Sequence, residues 1–265
     1  MLVDNNTFID QYYLGEPAAS FYIEDGDTRI LFDAGYSDIL ISNAEKMGID
    51  LQTVTHIVLS HGHDDHTRGI KFLEKHIDMS AMQLIAHPEC FLPKYSRELY
   101  IGAPYCEDEM KNIANYIPAR SIYQVSEKII YLGEIPRTTE FENKSPVGKY
   151  MKNGELTDDY MIDDTALVYK GEKGLFIITG CSHSGICNII EYAKKVCGSE
   201  KIYGVLGGFH LFADNEQLRE TIHYFEKNHI EKLYPCHCVS LLARAMMMKK
   251  LPVVETGVGL VVEVE

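Results

Sequence analysis

The sequence predicts an α/β protein in which two mixed β-sheets pack face to face and helices cover their outer sides. Segments with strand character outnumber helical ones, and both halves of the chain repeat the order strand, polar loop, helix. A sheet must bury one face and a helix one stripe, so this order predicts stacked layers.

The first half contains a hairpin followed by helices and a further strand. Residues 21–24 and 28–33 have strand character and flank a short turn. Apolar spacing of three and four predicts a helix over 37–48 and another from Ile70, for which Thr67 is the expected cap.

The second half repeats this pattern. Asp214 and Gln217 have the form of a capping box ahead of a helix. No internal repeat or linker divides the chain, so we expect a single domain over 1–265. The predicted strands are 166–169, 175–179 and 202–206, and further helices are predicted over 186–197 and 241–248.

The stretch 88–160 differs from the rest. It lacks clear periodicity and is rich in Tyr, Pro and Gly. A long irregular insertion in a compact domain is usually a functional loop or a lid, and otherwise decorates the surface. We expect an insertion that forms a lid or a wall of the substrate site.

Composition limits the partners and the setting. The net charge of −14 argues against nucleic acid, which needs surplus Lys and Arg, but allows an anionic small molecule if metal ions supply local positive charge. No apolar stretch approaches the ~20 residues of a membrane span. With seven cysteines and no signal peptide, we expect reduced thiols in a cytoplasmic protein. The oligomeric state stays open.

A histidine-rich run follows the apolar strand predicted over 54–59. It reads His61-Gly62-His63-Asp64-Asp65-His66, which places ligand-type side chains at a strand end. In extended backbone His61 and His63 project to the same side. Imidazole nitrogens with a carboxylate suit zinc or another first-row ion better than magnesium or calcium. The run therefore predicts metal binding.

Three further histidines follow predicted strands. They are His183, His210 and His237, two of them beside glycines that permit close backbone approach. One loop histidine carries little weight, but three at equivalent places predict a convergent site. His87 opens the long insertion and could reach a substrate. We expect the remaining histidines to be structural or solvated.

These motifs resemble the metallo-β-lactamase superfamily. The run HGHDDH matches the HxHxDH signature of that superfamily. FDAG at 32–35 matches the Asp that ends a strand upstream of the signature, and YPCHC matches the last histidine motif. LGEIPR, GCSHSG and GGFHL resemble a branch labelled dihydropterin-ribofuranosylaminobenzene-phosphate synthase or metal-dependent hydrolase. The resemblance covers nearly the whole chain and implies a four-layer αββα sandwich.

The resemblance also implies two divalent metal ions, with zinc first and manganese or iron as alternatives. His61, His63 and His183 would hold one ion, and Asp65, His66 and His237 the other. The usual bridging Asp is replaced, which leaves Cys181, Asp164 or solvent alone in that role. A histidine at position 63 indicates hydrolytic chemistry, since oxygen-reducing relatives carry a glutamate there.

Two ions in such a site activate water for attack on carbonyl carbon or phosphorus. Asp65 is expected to orient the nucleophile, and His210 to bind the substrate or protonate the leaving group. Asp33 is expected to fix a ligand imidazole. The predicted activity is hydrolysis of a phosphate-bearing small molecule, such as a phosphodiester or pterin-like phosphate. Ester, lactone or thioester hydrolysis, the synthase reaction, and a metal-dependent sensor without turnover are the alternatives.

Overall fold

The computed structural model describes residues 1–142 and 144–265. The chain folds into two compact units, each built from separate stretches of sequence. Unit 1 comprises Met1–Arg120, Pro146–Asp163 and Gly257–Val261, and unit 2 comprises Ser121–Ser145, Asp164–Thr256 and Val262–Glu265. The expectation of one domain over 1–265 stays a prediction.

Strands and helices are numbered along the described chain. The strands are β1 (Phe21–Asp25), β2 (Thr28–Phe32), β3 (His56–Val58), β4 (Gln83–Ala86), β5 (Lys94–Ser96), β6 (Leu99–Tyr100), β7 (Asn115–Pro118), β8 (Tyr123–Gln124), β9 (Ile129–Tyr131), β10 (Gly148–Lys152), β11 (Glu155–Asp159), β12 (Ala166–Gly171), β13 (Gly174–Thr179), β14 (Ile202–Gly207) and β15 (Lys232–Pro235). The helices are α1 (Ile39–Met47), α2 (Asp64–Thr67), α3 (Ile70–His76), α4 (Glu107–Ile113), α5 (Ile186–Cys197), α6 (Glu216–Lys227) and α7 (Leu241–Met248).

The main sheet of unit 1 has the strand order β1-β2-β3-β4-β7. β1 and β2 form the predicted antiparallel hairpin, and β2, β3, β4 and β7 run parallel. Leu31, Ile57 and Leu84 from neighbouring strands are fully buried with apolar side chains of α1 and α3. The carboxyl ends of parallel strands share one sheet edge, so the residues that follow β2, β3, β4 and β7 are neighbours there.

The segment 88–160 is not the irregular insertion that we predicted. Its described residues contain seven strands, β5 to β11, and helix α4. β5, β6, β10 and β11 form a small sheet of unit 1. These strands are two to five residues long, and β11 is mostly exposed, so they lack the alternation that predicts a strand. The role of the segment as a lid stays a prediction.

The sheet of unit 2 has the order β15-β14-β13-β12-β9-β8. β13 pairs antiparallel with β12 and parallel with β14, which pairs parallel with β15. The apolar faces of α5, α6 and α7 bury Ile189, Phe225 and Met247 in the same core as Val205. The loops after β13, β14 and β15 therefore leave one edge of the sheet, as in unit 1.

The predicted α/β class with two mixed sheets and helices is confirmed, and the small third sheet was missed. The two predicted helix caps are wrong. Thr67 ends α2 and donates its hydroxyl hydrogen bond to the carbonyl of His63 (2.8 Å). The cap of α6 is Asn215, which accepts the N–H of Leu218, and not its neighbour Asp214. Asp and Asn cap about equally well, so the sequence could not choose between adjacent positions.

Candidate metal centre

The histidine loop, residues 61–66, leaves the carboxyl end of β3 in unit 1. One ligand atom each of His61, His63 and Asp65 lies within 4.8 Å of the other two. The ring of His66 lies 4.2 Å from that of His61, centroid to centroid, and its Nε2 is 3.6 Å from the Asp65 carboxylate. The structure thus brings together the four side chains that the sequence singles out here.

Burial shapes the chemistry of these imidazoles. His61 and His66 are fully buried and His63 is 8% exposed. Burial lowers the pKa of His63 to about 4, although the nearby Asp65 carboxylate opposes this shift. His63 is therefore neutral near pH 7 and keeps a nitrogen lone pair, the form in which imidazole binds a metal.

Asp33, which follows β2, holds the loop from behind. Its Oδ2 lies 2.6 Å from His66 Nδ1, as the sequence predicts, and also accepts the Ser60 hydroxyl (2.7 Å). Its Oδ1 accepts the Ser60 N–H (2.7 Å). Because a carboxylate only accepts, Nδ1 of His66 carries the proton and Nε2 is left to act as a ligand.

Unit 2 supplies its candidate ligands from three loops that follow β13, β14 and β15. The Sγ of Cys181 lies within 4.8 Å of a ring nitrogen of His183 and of a ring nitrogen of His237. The rings of His183 and His210 are 4.5 Å apart, centroid to centroid. The three histidines predicted to converge do lie at one edge of this sheet.

The backbone of these loops adopts an uncommon conformation. Ser182, His210 and His237 have φ of 58°, 50° and 50°. These angles lie in the left-handed region, which residues other than glycine rarely adopt. The turns are fastened to one another: Gly208 N–H donates to the Gly180 carbonyl (2.8 Å), and the Ser182 hydroxyl to the Gly208 carbonyl (2.6 Å). Strain of this kind persists where surrounding contacts enforce it, often at functional sites.

Two other candidates have well-defined surroundings. His87 is buried; its Nδ1 accepts the N–H of Glu89 (3.1 Å) and its Nε2 lies 3.1 Å from Arg120 Nη1. These contacts give it a structural role, and its contact with substrate stays a prediction. Asp164 accepts both the N–H and the hydroxyl of Ser184 with one oxygen (2.8 and 2.5 Å), so its carboxylate helps to hold the loop of His183.

The donor set fits a first-row divalent ion. The histidine loop offers two imidazoles and one carboxylate within 4.8 Å of one another, and Cys181 adds a soft sulfur beside two imidazoles in unit 2. Nitrogen, sulfur and a single carboxylate suit zinc, whereas magnesium and calcium prefer oxygen ligands.

Sequence reasoning missed several supporting residues. Ser60 bonds Asp33, and Lys94 and Asp163 form a buried ion pair behind the loop. Arg120 follows β7 beside His87. Their spacing along the chain carries no motif, and only the strand-end position of Ser60 could have drawn attention to it.

Similar proteins were found for both sequence and structure. A profile of the metallo-beta-lactamase superfamily matches residues 14–83. An uncharacterized protein of Methanocaldococcus jannaschii is 35% identical over 92% of this chain and 91% of its own length. The 7,8-dihydropterin-6-methyl-4-(beta-D-ribofuranosyl)-aminobenzene-5'-phosphate synthase of the same organism is 34% identical over 84% of this chain and 79% of its own length.

Two solved structures share the fold. A metal-dependent hydrolase of the beta-lactamase superfamily superposes with a TM-score of 0.83 and 28% identity, covering 98% of this chain and 95% of that one. The metallo-beta-lactamase fold protein YhfI from Bacillus subtilis superposes with a TM-score of 0.57 and 12% identity, covering 93% of this chain and 92% of that one. Among the described residues, no helix is both long and apolar enough to cross a bilayer.

Proposed function

This chain belongs to the metallo-β-lactamase superfamily, and from that premise we propose that it is a dinuclear metal-dependent hydrolase of a phosphate-bearing small molecule. The observation that carries the proposal is the histidine loop, in which His61, His63 and Asp65 present ligand atoms within 4.8 Å of one another. Imidazole nitrogens beside one carboxylate are the donor types by which proteins hold zinc and similar first-row ions.

The proposed ligand set is the one that the resemblance to the superfamily implies. His61, His63 and His183 hold one ion, and Asp65, His66 and His237 hold the other. Cys181 is the proposed shared ligand, because its sulfur is within 4.8 Å of both unit 2 histidines, which serve different ions in this scheme. A thiolate favours zinc over manganese, and zinc is the ion that we propose.

Zinc ions held by these residues would supply a Lewis acid and lower the pKa of a water molecule. In the proposed mechanism the Asp65 carboxylate accepts a hydrogen bond from this water and orients it. His210 donates a proton to the leaving-group oxygen, because imidazole is the side chain that most readily gives and takes protons near neutral pH. Two observations support this role. His210 has left-handed backbone, and its ring lies beside the ring of His183, which is a proposed metal ligand.

A phosphate-bearing substrate is supported by charge and by one relative. Arg120 and Lys152 are about half-exposed cations that share the carboxylate of Glu89, near the carboxyl ends of β7 and β4. They offer positive charge on a chain whose net charge is −14. The name of the 34% identical relative describes a phosphate ester.

The test is a substrate screen with the zinc-loaded protein. Phosphodiester, phosphomonoester, lactone and thioester panels are compared, with Asp65→Asn as the inactive control. We expect the highest kcat/KM for a phosphate ester, and loss of that activity in the control. Faster turnover of a lactone or thioester would overturn the substrate class, and metal binding without any turnover would indicate a sensor.

The second candidate is the synthase reaction, which only the identity to the named relative favours. It joins a ribosyl phosphate unit to a pterin precursor, and water activation has no evident part in it. Incubation with a dihydropterin precursor and a ribofuranosylaminobenzene phosphate, followed by mass spectrometry, separates the two: a condensed product would favour the synthase, and hydrolysis alone the hydrolase.

A further inference from the structure

A buried ion-pair network lies behind the histidine loop in unit 1. Lys94 Nζ donates to Asp159 Oδ2 (2.8 Å) and to Asp163 Oδ1 (3.0 Å). All three side chains are buried, and Lys94 is only 1% exposed. A buried ion pair often adds little to stability compared with apolar packing, so a structural role alone explains this arrangement poorly.

The second oxygen of Asp163 reaches the histidine loop itself. Asp163 Oδ2 accepts the backbone N–H of Gly62 (2.8 Å), the residue between His61 and His63. A Cβ at Gly62 would lie 2.1 Å from the carbonyl oxygen of Cys90, so the backbone is packed directly against that residue. Asp163 and Cys90 together leave the peptide of Gly62 little freedom.

The strand that carries Lys94 also holds the loop through its backbone. The Lys94 carbonyl accepts the N–H of Ile101, whose own carbonyl accepts the N–H of Asp64 (both 2.9 Å). Gly102 forms an isolated antiparallel bridge with His63. The charged network and the small sheet therefore hold neighbouring peptide units of the histidine loop.

The charges of the network are stable. Burial by itself lowers the pKa of Lys94, but the carboxylates of Asp163 and Asp159 outweigh it and raise the pKa above its usual value. Burial raises the pKa of Asp163, yet Lys94 and the Gly62 amide hold it below the ordinary value. The contact to Gly62 is thus made by a full carboxylate, which forms the stronger kind of hydrogen bond.

We propose that Asp163, paired with Lys94, is a positioning residue for metal binding, which fixes the amide of Gly62 and thereby the spacing of His61 and His63. The inference rests on the proposed metal site and adds an outer partner to it. Outer partners of metal ligands typically contribute 10–100-fold in affinity.

A matched pair of double variants isolates the Gly62 contact. Lys94→Met/Asp163→Asn removes the ion pair but keeps a carbonyl acceptor for Gly62, whereas Lys94→Met/Asp163→Leu removes both. We expect the Asn variant to keep the zinc dissociation constant within about threefold of wild type and the Leu variant to raise it about 10–100-fold. Zinc affinity is measured by competition with a chromogenic chelator, and urea unfolding of the metal-free proteins compares their stabilities.

Equal dissociation constants in the two double variants would overturn the proposal, whether both are near wild type or both are raised. Lys149→Met is the control, since Lys149 pairs with Asp158 at the surface of the same small sheet (3.6 Å) and should leave zinc affinity unchanged.

A second measurement covers the case in which the buried variants do not fold. In metal-free wild type, amide hydrogen exchange should be much slower at Gly62 than at Gly154, which lies in the exposed turn between β10 and β11. Equally fast exchange would overturn the proposal. This measurement needs no bound ion, so it is independent of the proposed function, which fails instead if wild type binds no zinc.

Discussion

The histidine loop of unit 1 and the three strand-end loops of unit 2 present ligand-type side chains in different ways. In unit 1 the donors occupy one run of six residues after β3, and Asp33 and Asp163 support it with buried carboxylates. In unit 2 the donors are dispersed: Cys181 and His183 follow β13 and His237 follows β15, and Ser182 and His237 have left-handed backbone.

The two sets of donors depend on their surroundings in different ways. A contiguous run keeps its donors close by chain connectivity, so its supporting contacts only refine the spacing. Dispersed loops have no such restraint, and their donors meet only because β13, β14 and β15 are adjacent parallel strands. We therefore expect the dispersed ligands to depend more on backbone conformation, and the contiguous ones more on hydrogen bonding.

The largest effects are expected from removing one ligand in each region. Wild type should carry about two first-row ions per chain. His63→Ala and His183→Ala should each lose one ion and nearly all activity. This decrease should exceed the 10–100-fold expected when a hydrogen-bond partner of a ligand is removed. Elemental analysis and kcat/KM check this. Cys181→Ser should retain both ions at saturating zinc but lose sulfur-to-metal charge-transfer absorption after cobalt substitution. An ion count of two in His183→Ala, or of one in wild type, would contradict the proposed ligand set.

His210 is the next test, because it belongs to the unit 2 loops without being assigned to either ion. His210→Ala should keep its metal and lower kcat by roughly 10²–10⁴-fold, the range for a lost general acid. The loss should shrink for substrates with good leaving groups, which need no proton. If His210→Ala instead loses metal, and its decrease in kcat does not depend on the leaving group, then His210 is a metal ligand.

Asp33 tests the supporting contacts of unit 1. In Asp33→Asn the side chain has only one oxygen, which cannot accept hydrogen bonds from both the Ser60 amide and His66. His66 therefore loses the partner that sets its tautomer. Zinc affinity should fall about 10–100-fold while the fold is retained. Chelator competition measures the affinity and circular dichroism the fold. An unchanged dissociation constant would show that the loop does not need this carboxylate.

Gly207 tests the backbone of unit 2. Replacing it should affect stability, and it should change activity less than the other substitutions do. It has φ of 138°, and a Cβ there would lie 2.1 Å from the Thr179 carbonyl oxygen. Gly207→Ala should therefore lower the free energy of unfolding by about 1–3 kcal/mol. Urea unfolding of the metal-free protein measures this. Gly154→Ala, in an open turn where a Cβ meets nothing within 4 Å, separates the effect of φ alone from that of the clash.

Elements with strong periodicity and residues within a motif could be predicted from the sequence. The hairpin of β1 and β2, the strands β12 to β14 and the helix α5 were predictable because apolar spacing records which side of an element is buried. The histidine loop was recognisable because its donors are adjacent in the chain, and His183, His210 and His237 because each follows a predicted strand.

The distant residues that support the site could be identified only in the folded chain. Lys94, Asp159 and Asp163 have no recognisable spacing, and they meet because β5 pairs with β10, whose hairpin partner β11 leads toward Asp163. The short exposed strands of 88–160 owe their form to pairing partners and not to their own hydrophobicity, so periodicity could not reveal them. Local sequence records burial and turn chemistry, whereas contacts between buried charges depend on chain packing that no local pattern encodes.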